Sequence, residues 1–74
     1  MKKYKNLSGQ SNVDSYDYTA DTFTVKFNGG AHYLYSILKN PLVQIEKMQQ
    51  KGDAGTGLGT MLATKPHHPH DRTW

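Results

Sequence analysis

The tripeptide Asn28-Gly29-Gly30 constrains this chain more than any other feature. Before it, Phe23, Val25 and Phe27 alternate with Thr22, Thr24 and Lys26; after it, Tyr33, Tyr35 and Ile37 alternate with His32, Leu34 and Ser36. A period of two marks a strand with one buried face. Asn-Gly or Gly-Gly between two such runs reverses the chain in a tight hairpin. The register of that hairpin decides what Tyr33 and Tyr35 do, because a slip of one residue exchanges the faces. A two-residue turn over Asn28-Gly29 sets Thr24 opposite Tyr33 and turns both tyrosines onto the polar face, as a platform for stacking bases. A three-residue turn with Gly30 in the left-handed bulge position sets Val25 opposite Tyr33 and Phe23 opposite Tyr35, which puts both in the core. The second register is favoured. It uses the glycine where the turn needs one, and it buries Tyr33, Tyr35 and Ile37 rather than the less apolar His32, Leu34 and Ser36. Leu34 is then left facing outward.

An earlier run starts at Val13 and reaches Tyr16 and Tyr18, and Thr19-Ala20-Asp21 turns it back into the Phe23 segment. The first half therefore reads as a three-stranded antiparallel meander. The period then changes. Asn40 has the chemistry of an N-cap and Pro41 that of a first helical residue. Leu42, Ile45 and Met48 form one apolar stripe, with Val43 beside them. Lys47 and Lys51 suit the helix's C-terminal end, and Gly52 suits its exit. The expected helix runs over residues 41–51. Leu58, Met61 and Leu62 repeat with helical spacing, so a short second helix is expected although Gly57 and Gly59 each cost it about 1 kcal/mol.

The expected fold is α+β: a three-stranded antiparallel β-meander packed against one or two short C-terminal helices. Its core is expected to hold Val13, Phe23, Val25, Phe27, Tyr33, Tyr35, Ile37, Leu42, Ile45, Met48, Leu58 and Leu62. Residues 1–9 read as a basic flexible arm, 10–63 as the domain, and 64–74 as a disordered His/Pro-rich tail. With 74 residues and no cysteine, the chain has neither disulfide staple nor thiolate metal site. Met1-Lys2-Lys3-Tyr4-Lys5 resembles the start of a signal peptide, but no apolar run follows it. No membrane association is expected, and a cytoplasmic location is.

The ordered series Val13-x-x-x-x-Tyr18, Thr22-Phe23-x-Val25-x-Phe27-x-x-Gly30-x-x-Tyr33-x-Tyr35, a Pro-led helix and Lys51-Gly52 resembles the KTSC domain. That family is named for the C-terminus of some lysyl-tRNA synthetases and also occurs as small stand-alone bacterial and phage proteins. The resemblance covers roughly residues 7–63. It implies that Gly30, Tyr33 and Tyr35 form a structural signature, and the synthetase context suggests RNA.

The residues themselves point away from catalysis. There is no cysteine nucleophile, His32 has no Ser or Asp partner at a telling spacing, and no two carboxylates are paired. The glycines from Gly52 to Gly59 follow a helix rather than a strand and lack a Gly-Lys-Ser/Thr ending, so they read as a link and not a phosphate loop. His67, His68 and His70 carry imidazoles, but an inert tail is the expected reading; no metal, cofactor or small-molecule substrate is expected. What remains is a non-catalytic binding module. Its first reading is protein–protein interaction or self-association, through a sheet edge and Leu34. The alternative is weak, low-specificity binding of RNA or other nucleic acid through Lys2, Lys3, Lys5, Lys26, His32 and Lys39, in keeping with a formal net charge of +3.

Overall fold

A computed structural model describes residues 1–7, 9, 11–63 and 69–74. It is a small α+β fold: β1 (Lys2–Lys3), β2 (Val13–Thr19), β3 (Thr22–Phe27), β4 (His32–Ser36), α1 (Leu42–Ala54), α2 (Leu58–Ala63) and β5 (Arg72–Thr73). The strands form one antiparallel sheet in sequence order.

The hairpin adopts the bulged register. Phe23 pairs with Tyr35 and Val25 with Tyr33. The Phe27 amide donates to the Ala31 carbonyl at 2.9 Å, the Gly30 amide donates to the Phe27 carbonyl at 2.8 Å, and Gly30 has φ of +96°. That backbone angle is open to glycine and strained for most other residues. Tyr35 is buried, and Tyr33 is partly buried against the core.

Among the described residues the sheet has five strands, where three were expected. The added two come from the segments read as a basic arm and a His/Pro-rich tail. β1 is tied down by Tyr4, which is buried; its hydroxyl accepts the Leu58 amide at 3.2 Å and its amide donates to the Asp14 carbonyl at 3.0 Å. β5 is held on β4 by a reciprocal backbone pair between His32 and Trp74, at 2.8 and 3.1 Å, and by the Asp71 amide on the Leu34 carbonyl at 2.7 Å.

Four further expectations change. Tyr16 joins the core because a bulge between Val13 and Ser15 shifts the phase of β2, so Val13 and Tyr16 face the same way. Ile37 and Leu42 are each 49% exposed, since β4 stops at Ser36 and leaves little sheet beneath them. Asn40 does not cap α1. Pro41 occupies that position without a side-chain cap, while Asn40 is buried and its amide donates to the Pro69 carbonyl at 2.7 Å. Gly52 does not end α1, which continues to Ala54 and closes on Gly55 in the left-handed conformation. A Cβ on Gly52 would stand 3.0 Å from the Tyr16 ring, so this glycine lets helix and sheet approach.

Ile45, Met48 and Gly52 form the buried face of α1, one helical turn apart, and Leu58 of α2 closes the core beside them. The aromatic rings of Tyr16, Tyr18 and Phe23 form a triangle across β2 and β3, each pair near parallel with centroids 5.9–6.3 Å apart. Both helices lie on this inner side of the sheet.

Candidate functional site

The other side of the sheet is left open by both helices, and cross-strand pairing sets what it displays. Residues directly opposite each other share a face. Lys3 pairs with Ser15, Ser15 with Lys26, and Lys26 with His32. Trp74 stands opposite His32 through their reciprocal backbone bonds. One row therefore reads Lys3, Ser15, Lys26, His32, Trp74. The next reads Asp17, Thr24, Leu34, Arg72.

At the β5 end the face carries aromatic and cationic groups together. The His32 and Trp74 rings stack with centroids 5.1 Å apart and planes 11° from parallel. The Arg72 guanidinium lies 5.8 Å from the Trp74 ring centre. Leu34, Arg72 and Trp74 line a shallow notch of about 400 Å³. His32 Nδ1 is buried and has no hydrogen-bond partner among the described residues; the ring packs through its stack on Trp74. Trp74 remains 57% exposed.

The candidate cations separate. Lys3 and Lys26 stand on the open face with His32. Lys2 belongs to the helix side, where its ammonium lies 4.0 Å from Asp53 and 5.1 Å over the Tyr18 ring. Lys5 packs its stem against Gly55 on that same side. Lys39 is at the rim, donating to the His70 carbonyl at 3.3 Å. Leu34 faces outward as the register requires, and it forms part of the notch. Arg72 and Trp74 were not singled out in the sequence. The available signal was a tryptophan alternating with an arginine across Thr73, inside a segment otherwise read as featureless.

On the inner side, Tyr16 and Tyr18 donate to the two carboxylate oxygens of Asp53, at 2.7 and 2.6 Å. These bonds, Tyr18 first, hold the Asp53 carboxyl below the usual carboxylate range. Burial, reinforced by the bond to Asp53, pushes the Tyr16 phenol up to about 12; burial and then the neighbouring Tyr33 do the same for Tyr35. Phenols held neutral that far donate hydrogen bonds and do not act as bases near pH 7. The clamp ties β2 to the last turn of α1. Tyr33 and Tyr35 line a cleft of about 510 Å³ together with Phe27 and Leu62, and Tyr33 also touches the His70 ring, with centroids 4.9 Å apart.

His67 and His68 lie outside the described residues. Among the described residues, no group of three His, Cys, Asp or Glu side chains is placed to hold a metal ion, and no helix is long and apolar enough to cross a membrane. No family model, curated protein or solved structure matches the chain.

Proposed function

We propose that the protein is a non-catalytic binding module whose open sheet face takes up nucleic acid, weakly and with little sequence preference. One observation carries the reading: Lys3, Lys26 and Arg72 stand with His32 and Trp74 on the one face of the sheet, the face that neither helix covers. Cations spread over such a surface meet phosphates, and each phosphate neutralised releases counterions. The resemblance to the KTSC domain and its synthetase context points the same way. The expected affinity is that of non-specific binders, with Kd of about 10⁻⁴–10⁻⁶ M at physiological salt. Three cations give a log–log salt slope of about −2 to −3. Lys26→Ala should make that slope shallower by about 0.7–0.9 while leaving the fold intact. Anisotropy of a labelled oligonucleotide across a salt series measures both. A slope near zero, or none of the probe bound at low salt, removes the reading.

A second reading, self-association, is favoured by a different surface. Leu38 is 86% exposed, and Ile37, Leu42 and Val43, within five residues of it in the sequence, are each about half exposed. An apolar patch built from such residues would mark an interaction site. The sheet edges support it less: β1 and β5 span two residues each and carry Lys and Arg, which discourages strand pairing. Sedimentation should then show a concentration-dependent dimer that Leu38→Asp abolishes. A native chain that stays monomeric at millimolar concentration ends this reading.

A further inference from the structure

We infer that the occupant of the open face is a single strand, and that one of its bases lies flat on the Trp74 indole in the notch beside Leu34 and Arg72. This rests on the nucleic-acid reading above and goes further, because charge alone does not distinguish a duplex from a single strand. The notch does. A duplex keeps the faces of its bases stacked on one another, whereas a single strand can offer them.

Three observations carry the inference. First, Trp74 is 57% exposed yet held in place on both counts that matter, by the backbone pair to His32 and by the ring stack at 5.1 Å. An aromatic ring already fixed loses little freedom when a ligand settles on it. Second, the notch has an aliphatic wall in Leu34, and the Arg72 guanidinium lies over the Trp74 ring, 5.8 Å from its centre, on a long side chain that can swing aside to admit a base and meet its phosphate. A stacked nucleotide needs both, an apolar surface for the base and a cation for its phosphate. Third, the charges give the strand a path. From Trp74 the row runs through His32 and Lys26 to Lys3, four inter-strand steps of about 4.8 Å each, or roughly 19 Å. The neighbouring row ends on the exposed carboxylate of Asp17, which repels phosphate. The backbone therefore follows the Trp74–Lys3 row and not the diagonal toward Asp17.

Trp74 is the chain's one tryptophan, so its emission reports this site alone. The experiment titrates the full chain with labelled oligouridylate, oligothymidylate, duplex RNA and heparin, reading probe anisotropy and Trp74 emission together. Both single strands should quench Trp74. Duplex RNA and heparin should bind through charge without quenching it. Trp74→Ala should weaken single-strand binding about 5- to 150-fold and leave heparin binding unchanged, while Trp74→Phe should lose only a few-fold. If Trp74→Ala does not fold, as a thermal melt would show, the quenching on the native chain still decides. Quenching by only one of the two single strands would name RNA or DNA as the occupant. Single strands that bind without changing Trp74 emission, or duplex that quenches equally, would overturn the inference and leave the nucleic-acid reading standing. No binding of any probe would remove both.

Discussion

Phe23→Ala should cost about 3–5 kcal/mol, the range for truncating a buried aromatic. Phe23 is fully buried, stacked beside Tyr16 and Tyr18 and paired across the sheet with Tyr18 and Tyr35. A chain of 74 residues has a total stability of about 4–11 kcal/mol, so this one change removes about half of it at the middle of both ranges. Urea denaturation should show the midpoint falling by about half. Tyr35→Ala should follow closely, because Tyr35 is only 5% exposed, and Tyr33→Ala should cost less, because Tyr33 is only partly buried. A loss below about 1 kcal/mol at Phe23 would mean that this cluster of three rings is not the core of the fold.

Gly55→Ala should be the most damaging change outside the core, at about 2–4 kcal/mol. Two penalties combine there. Gly55 ends α1 at φ of +78°, which a side chain resists by about 1–2 kcal/mol. A Cβ would also stand 2.6 Å from the Lys5 Cβ, an atom fixed close to the backbone and unable to swing away. The segment after β1 must then move, breaking the bond from the Leu7 amide to the Gly55 carbonyl at 2.7 Å. Gly57→Ala is the internal comparison. It has φ of +84°, but its new Cβ would meet the flexible Lys51 side chain, nearest at the ammonium at 3.3 Å, so it should lose no more than the backbone strain costs. Denaturation curves of the two variants, with hydrogen exchange at Leu7, separate the contributions. Equal losses at Gly55 and Gly57 would show that Lys5 does not press on Gly55.

The β3–β4 hairpin and its register were legible because the requirement is local: a bulged three-residue turn wants glycine at its third position, and Gly30 is there. The stripe Ile45–Met48 was legible for the same kind of reason, since a helix repeats its buried face every turn. The limits of α1 were not. Gly52 has the chemistry of a helix exit, but its missing side chain serves Tyr16, and contact between helix and sheet overrode the local preference. Asn40 has the chemistry of a cap, yet its amide went to Pro69, a residue far along the chain.

The candidate face was half legible. Alternation about Gly30 put Lys26, His32 and Leu34 outward, and the structure places them there. Which lysines join them was not readable, because Lys2 and Lys3 differ only in which side of a two-residue strand they take. Arg72 and Trp74 entered through β5, whose pairing lies in no local pattern.

What the sequence by itself determined is therefore the set of features closed by neighbouring residues: the alternating strands, the bulged turn and the apolar stripe of α1. What only the tertiary structure decided is the phase of β2 after its bulge, the capture of both outer strands, and the assembly of the open face. Those depend on contacts between distant segments, Tyr4 on Leu58 and Trp74 on His32, and such contacts form only once the sheet is there to receive them.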